Sequence, residues 1–292
     1  MIVSASYRTD IPAFYADWFL RRLEAGFCRV ANPYGGGEYE VPLRPGAVDG
    51  FVLWTRNLRP LLPDLDVVRA VAPFVVQFTV TGYPRSLETS VINTEDAIDQ
   101  LREVRRRFGP RAAVWRYDPV VFTDGLDAAA HVAGFAPLAR ALRGSVDEVV
   151  LSVVHPYRKT RRNLDRAAAR SGIAWHDPPP EEKRALLRRL AAIAREHGMV
   201  PTLCSQPELL GPDCDIGEAS CIDAARLADV ATRPVTARTS GNRPGCRCAL
   251  SRDIGAYDTC PHGCVYCYAV ADRDRAVANF RRHDPASATL RR

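Results

Sequence analysis

Six short apolar runs recur along the chain, and they constrain its fold more than any other feature: "IVSAS" (2–6), "FVLWT" (51–55), "FVVQFTV" (74–80), "AAVWRY" (112–117), "EVVLSVV" (148–154) and "MVPTLC" (199–204). All are short and several are β-branched, as strands buried on both faces are. Amphipathic stretches of helical period separate them. In 10–25, Asp10 caps a first turn, Pro12 suits its start, and Ile11, Phe14, Tyr15, Trp18 and Leu23 recur on one side. Ile98, Leu101, Val104 and Phe108 form a stripe in 95–108, and Leu186, Leu187, Leu190, Ile193 and Ala194 form another in 181–197. Alternation of this kind predicts an α/β fold with a parallel sheet, and no internal repeat interrupts it.

Each apolar run ends abruptly in polar residues. The ends carry Arg8 and Asp10, Arg56 and Asn57, "TGY" at 81–83, Arg116 and Asp118, His155, and Gln206. In a (β/α) barrel the carboxyl ends of the strands share one face, where active sites form. Strand ends also meet loops, which are polar anyway; six ends in succession favour a shared pocket. The expectation is one domain over 1–292, a (β/α) barrel, although an open doubly wound sheet satisfies the same alternation. The chain is 292 residues long and 47% hydrophobic, enough for a large core. No secretory leader and no apolar run long enough to span a bilayer is visible, so a cytoplasmic protein without a membrane partner is expected. The net charge of +6 permits an anionic partner without demanding one.

Nine cysteines in a chain of that kind point to metal or redox chemistry rather than disulfides. Three of them, Cys260, Cys264 and Cys267, lie in "DTCPHGCVYCYA" with the spacing C-x3-C-x2-C. Three thiolates on so short a loop converge on one centre and fall one short of a closed zinc or iron–sulfur site. A [4Fe–4S] cluster held this way keeps one iron open to a small ligand. Zinc would need a fourth donor, for which His262 or a distant cysteine is available. Cys204, Cys221, Cys246 and Cys248 make a second set of four, sufficient for a closed [4Fe–4S] cluster or an all-thiolate zinc site; Cys214 can replace any of them. Buried apolar thiols are the plainer reading of that set. Cys28 stands alone at an expected helix end, as a small buried residue. The cysteine-rich section spans 204–268.

Locally, "CPHGCVYCYA" resembles the C-x-H-G-C-x-Y-C-Y stretch of radical S-adenosylmethionine (SAM) proteins related to DNA-repair photolyases such as spore photoproduct lyase. The resemblance implies a [4Fe–4S] cluster whose open iron is chelated by SAM, an external electron donor such as flavodoxin or ferredoxin, and a place for Tyr266 close to the adenine. End to end, "SASYRTDIPAFYADWF", "WTRN", "QFTVTGY", "WRYDP" and "GCRCALSRDIGAYDTCPHGCVYCYA" resemble the family known as domain of unknown function 1848, whose C-terminal cysteines are similar to the radical SAM motif. That family carries no established reaction, so the resemblance implies a cluster and a fold but no substrate.

In most radical SAM proteins the cysteines follow the first barrel strand, whereas here they come last. A partial, circularly permuted barrel accounts for this if "RDIGAY" (252–257) is the strand leading into the cysteine loop, 269–282 the helix after it, and 2–6 the neighbouring strand. Separation of 2–6 from 252–257 would overturn the idea. Under it, Ser6 to Asp10 meet SAM, and "YGGGEYE" (34–40) is a glycine turn rather than an amine-binding motif. Arg116 and Asp118 either bind substrate or pair with each other, and His155 is an acid–base group or a strand-end histidine. "HPYRKTRRN" (155–163) is either a phosphate-binding surface or a solvated helix start. The expected function is hydrogen-atom abstraction by a radical SAM enzyme from a small molecule or nucleic acid, with Arg8, Asp10, Arg116, Asp118 and His155 as its catalytic candidates. The alternatives are an iron–sulfur electron carrier and a zinc-stabilised nucleic-acid-binding protein.

Overall fold

All six apolar runs form strands. The structure is a computed structural model and describes residues 1–32, 35–211, 214–231 and 233–291. The runs become β1 (Ile2–Ala5), β4 (Gly50–Thr55), β5 (Phe74–Thr79), β6 (Ala113–Val120), β7 (Glu148–Val153) and β8 (Val200–Leu203). Two short strands extend the sheet, β9 (Gly217–Glu218) and β10 (Ser251–Asp253). The order is β10-β1-β4-β5-β6-β7-β8-β9, all pairs parallel, with β10 and β9 at the two edges. The last strand pairs with the first: Ile2 lies opposite Ser251 and Ser4 opposite Asp253. Residues 2–6 and the strand leading to the C-terminal cysteines are therefore neighbours, as a permuted order requires.

Helices cross between the strands. The sequence between 10 and 25 forms two of them, α1 (Ile11–Phe14) and α2 (Ala16–Ala25), because Tyr15 leaves helical angles at φ −131°, ψ 28°. Its hydroxyl donates to the Thr259 carbonyl at 2.6 Å. The Asp10 cap is as expected, accepting from the Ala13 amide at 2.9 Å. After α3 (Leu65–Val71), both amphipathic patterns appear as helices α4 (Thr94–Phe108) and α7 (Pro180–Glu196), with their apolar stripes turned to the core. Helices α5 (Ala128–Leu142), α6 (Arg158–Ser171) and α8 (Ala224–Ala231) complete the crossings. The final helix is shorter than 269–282: α9 spans Arg273–Arg281 and is capped by Asp272. Residues 269–271 are instead tied to the cysteine loop, the Asp258 amide donating to the Ala269 carbonyl and Asp258 accepting from the Ala271 amide. Strand β10 likewise stops at Asp253, whose carboxylate accepts from the Gly255 amide and turns the chain.

An antiparallel hairpin, β2 (Phe27–Ala31) and β3 (Glu38–Pro42), stands outside the main sheet. Cys28 is therefore in a strand and fully buried, not at a helix end; burial pushes its thiol up to about 12. Gly35, Gly36 and Gly37 take φ between 90° and 98° at the hairpin's tip, which is the glycine turn expected there. Tyr34 of that stretch lies outside the described residues.

Side chains alternate between the two faces of the sheet. Val3, Phe51, Leu53, Phe74, Val76, Phe78, Trp115 and Leu151 pack into the larger core. Ile2, Val52, Val75, Val114 and Val150 point the other way, under Ile222, Leu227 and Val235 from the cysteine-rich section. Helix α8 approaches closely enough that a Cβ at Gly50 would stand 2.7 Å from Leu227 Cδ2. Further along the strands on this second face the residues turn polar: Asp253, Ser4, Trp54, Gln77, Arg116, Asp118 and Ser152. A polar stripe thus crosses the sheet towards its carboxyl end.

Candidate metal and cofactor site over the strand ends

The Cys260–Cys267 loop lies over the ends of β1, β4 and β5, and the connection after each of those strands sends a residue to hold it. Asp10, after β1, is the first tie. Its carboxylate accepts from the Ala13 amide, from Thr55 Oγ1 at 2.8 Å and from the Arg56 amide at 2.7 Å, and it lies 2.8 Å from His262 Nε2. The other ring nitrogen of His262 faces the Ser90 carbonyl at 3.4 Å. His262 is buried with both nitrogens engaged, so the loop offers no fourth metal donor through it. Asp10 correspondingly holds α1, β4 and the loop together and is a positioning residue.

The second tie follows β4 and β5. Arg56 Nη1 donates to Glu88 Oε1 at 2.8 Å and its Nη2 to the Tyr266 hydroxyl at 2.5 Å. Thr81 Oγ1 at 2.6 Å and the Tyr266 hydroxyl donate to the same carboxylate oxygen. The four side chains are buried together, which makes the charge pair depend on mutual hydrogen bonding. The Tyr266 hydroxyl closes this network, and its ring packs edge-on against Tyr83 with centroids 6.1 Å apart. Arg56 appeared among the strand-end residues, but Glu88 carried no sequence signal, because it lies in the connection after β5 with no motif around it. Its segment runs antiparallel to the cysteine loop: Glu88 bridges Cys264, the Val265 amide donates to the Leu87 carbonyl, and the Ser90 amide donates to the His262 carbonyl. Gly263 is necessary here. Its φ is +76°, and a Cβ would stand 2.6 Å from Arg273 Nε.

The three thiols of the loop are partly exposed and in no disulfide. Burial pushes the Cys260 thiol well up, and charge on Cys267 and Cys264 would push it further. Burial takes Cys264 to about 12, with Arg56 opposing, and raises Cys267, which accepts hydrogen bonds from the Ala269 and Val270 amides. A metal that takes these thiols as thiolates must displace their protons.

Asp253 is the hub between β10 and β1. It accepts from Ser4 Oγ at 2.8 Å, Ser6 Oγ at 2.7 Å, the Tyr7 amide at 3.0 Å and the Gly255 amide at 3.0 Å. Burial nonetheless raises its carboxyl, with Arg8 opposing. Ser6 is thus engaged by Asp253, and it also accepts from the Arg8 amide. Arg8 Nε is 3.7 Å from Asp253 and buried without a hydrogen-bond partner. The guanidinium lies over Tyr7 and Tyr257.

A second group forms farther along the polar stripe. Arg116 donates to Gln77 Oε1 at 3.0 Å, to Cys221 Sγ at 3.0 Å and to Asp118, and it lies over the Trp54 ring. Ser152 also donates to Asp118. Burial opposes ionisation of Asp118, but the Arg116 guanidinium prevails and holds the carboxyl below its ordinary value. The local Arg–Asp pair is therefore real, and it is turned towards the other cysteines. Cys204 and Cys221 are 3.5 Å apart through their sulfurs, Cys221 is in thiol contact with Cys248, and Cys248 with Cys246. Cys214 lies against the larger core with Cys28, away from this group. Among the described residues no three His, Cys, Asp or Glu side chains stand at the spacing of ligands around one metal ion. His155 is exposed, its ring 4.2 Å from that of Tyr157, and belongs to neither group.

Among the described residues no helix is long and apolar enough to cross a membrane. No curated protein matches the sequence. Among solved structures, a crystal structure of D-hydantoinase is similar at 11% identity and a TM-score of 0.31, covering 79% of this chain and 47% of that one. The chain spans about half the length of that structure, and the likeness is too loose to carry an argument. Residues 2–269 match the family described as "Domain of unknown function (DUF1848)", which covers the sheet, both cysteine groups and the ties between them: the chain belongs to the DUF1848 family.

Proposed function

We propose that this chain is a radical SAM enzyme built on a permuted, partial barrel, with its [4Fe–4S] cluster on Cys260, Cys264 and Cys267. One observation carries the reading: three thiols on a loop anchored over the strand ends, with the only histidine of that loop engaged on both nitrogens by Asp10 and Ser90. The donor set fits a cluster with one protein-free corner. A cluster distributes its thiolates over separate irons, so it asks for wider spacing than a single ion does. The group, when bound with SAM and reduced by one electron from an external ferredoxin or flavodoxin, supplies cleavage of the sulfonium to methionine and a hydrogen-abstracting 5′-deoxyadenosyl radical.

The chain's own residues then have distinct duties. The Ala269 and Val270 amides stabilise a thiolate at Cys267. Arg56, Glu88 and Tyr266 keep the loop's inner side rigid and dry. Arg8 is the residue we assign to a carboxylate of SAM or substrate, since its buried Nε lacks a hydrogen-bond partner. The surface beside the loop supports a nucleic-acid substrate. Exposed Tyr268, next to Cys267, lies 6.5 Å from exposed Tyr157 between ring centroids. Tyr157 leads into α6, which exposes Arg158, Lys159, Arg161, Arg162, Arg166 and Arg170 and contacts the Val270 and Ala271 carbonyls through Asn163 and Arg162. Stacking rings beside a cationic helix match unpaired bases and their phosphates.

The test is anaerobic reconstitution followed by iron and sulfide analysis, electron paramagnetic resonance with and without SAM, and assay of 5′-deoxyadenosine after dithionite reduction. A SAM-perturbed signal and 5′-deoxyadenosine that disappears in Cys264→Ala are the expected results. Iron without any response to SAM would make the chain an electron carrier, and zinc without iron would overturn both readings in favour of a zinc-stabilised protein.

A further inference from the structure

Four of the six cysteines outside the loop come from three separate stretches of chain. Cys204 follows β8, Cys221 lies between β9 and α8, and Cys246 and Cys248 precede β10. Folding nevertheless brings them into one connected group on the second face of the sheet, where all four join the smaller core. The contacts run from Cys204 through Cys221 and Cys248 to Cys246.

Two guanidiniums and one backbone amide face the sulfurs. Arg116, 4% exposed, aims Nη1 at Cys221 Sγ from 3.0 Å, and Arg243 Nη2 is 3.7 Å from Cys204 Sγ. A guanidinium donates weakly to a thiol and strongly to a thiolate. The Ile222 amide also points at Cys248 Sγ from 3.4 Å. The strands and loops carrying the sulfurs are held independently of any ligand. Gln77 Nε2 donates to the Cys221 carbonyl at 2.9 Å, the Ser240 amide to the Cys248 carbonyl at 2.8 Å, and the Ala249 amide to the Ile222 carbonyl at 2.8 Å. Two glycines make the C-x-C turn possible. A Cβ on Gly241 would lie 2.3 Å from the Cys246 carbonyl oxygen, and one on Gly245 would lie 2.7 Å from Pro207 Cδ.

We propose that Cys204, Cys221, Cys246 and Cys248 bind a second iron–sulfur cluster, ligated at all four irons by the protein and independent of the C-terminal trio. Four thiols match the ligand count of a closed [4Fe–4S] cluster. The sulfurs lie in contact, 3.5 Å from Cys204 to Cys221, so a cluster that spreads its four thiolates over separate irons parts them on binding, and zinc is the occupant that the test below must exclude. With no open iron this centre does not bind SAM. It sits at one end of the polar stripe, where Arg116 connects Cys221 to Trp54, and Trp54 Nε1 in turn donates to Ser4, a partner of Asp253.

The experiment uses the full chain, reconstituted anaerobically with iron and sulfide. Wild type is expected to hold about eight irons, and a C260A/C264A/C267A triple variant about four irons and four sulfides. In that background C221S should lose the remaining iron, whereas C28A should keep it, since Cys28 lies in the other core. Because a cysteine variant can fail to fold, wild type gives a second readout: two cluster signals, of which SAM perturbs one and leaves the other unchanged. A triple variant without iron, a triple variant holding only zinc, or a single cluster signal in wild type would overturn the proposal. If SAM perturbs neither signal while the triple variant keeps its iron, the radical SAM reading fails and this one stands.

Discussion

The two cysteine groups are built on opposite plans. The trio comes from one short loop, and charge on Cys267 raises the thiols of Cys260 and Cys264 further. The quartet is drawn from stretches far apart in sequence, yet its sulfurs touch in series. The scaffolds differ too. A local motif needs external anchoring, which Asp10, Arg56, Glu88 and Ser90 provide from the ends of other strands. The dispersed set is anchored as well, by Gln77 on the Cys221 carbonyl and the Ser240 amide on the Cys248 carbonyl, but its members first have to be brought together from three separate loops by the packing around the sheet. Closeness in sequence therefore marks where a ligand set begins, while the packing decides which residues make it usable.

The largest effect that separates the two plans is on activity. Cys264→Ala should reduce 5′-deoxyadenosine formation to background while leaving the quartet's iron in place, as read by product assay and iron analysis of one preparation. Retained activity would remove the distinction between an open and a closed centre.

The anchoring of the trio should be a matter of stability as well as chemistry. Glu88→Gln leaves the buried Arg56 guanidinium without its counter-charge and should cost about 3–5 kcal/mol in urea unfolding. The quartet's iron in that variant should persist as long as the chain is folded. A cost below about 1 kcal/mol would mean that the pair is solvated and does not hold the loop.

A buried histidine that belongs to neither group supplies a reference for acid behaviour. His131 is fully buried between the Tyr117 hydroxyl at 2.9 Å and the Val121 carbonyl at 3.1 Å. Burial lowers its pKa to about 4 from an ordinary value of 6.5. Above pH 6.5 the imidazole is neutral in folded and unfolded chains alike, and its contribution is fully present. As the pH falls from about 6.5 towards about 4 the unfolded chain takes up the proton first, so stability declines, by on the order of 3 kcal/mol in all. Unfolding midpoints measured across that range should show the slope, and His131→Asn should remove it without altering the iron content of either group.

The smallest effects come from two glycines, one in each region. Gly263→Ala forces a Cβ into a left-handed conformation at about 1–2 kcal/mol and should reduce iron on the trio alone. Gly241→Ala should reduce iron on the quartet alone, through the contact with the Cys246 carbonyl. If both variants lower both pools equally, the two centres are not independent.

The main sheet was largely legible in the amino-acid sequence. Runs such as "FVVQFTV" are apolar on both faces only because parallel strands are buried on both, and their polar ends mark the shared edge. Less legible were the hairpin β2–β3 and the break at Tyr15, since five-residue strands of mixed polarity carry little periodicity and Tyr15 obeys a partner at Thr259. Of the strand-end candidates, Arg8, Asp10, Arg116 and Asp118 meet cysteine groups or the residues that hold them. His155 lies outside, exposed, because its strand ends before it turns inward. Glu88 and Asp253 went unmarked, since a single carboxylate in a loop or a short strand looks like any other until its partners arrive.

Sequence by itself determined the strand count of the apolar runs, the parallel alternation, the spacing of Cys260, Cys264 and Cys267, and the availability of four further thiols. These are local quantities, set by side-chain period and by chemistry within a few residues. Only the tertiary structure decided that β10 lies beside β1, that His262 is tied to Asp10, that Tyr266 closes on Arg56 and Glu88, and that Cys204, Cys221, Cys246 and Cys248 meet beneath Arg116. The physical reason is that a buried charge or thiol takes its character from whichever groups packing delivers to it. Those groups come from strands as far apart in sequence as the first and the last.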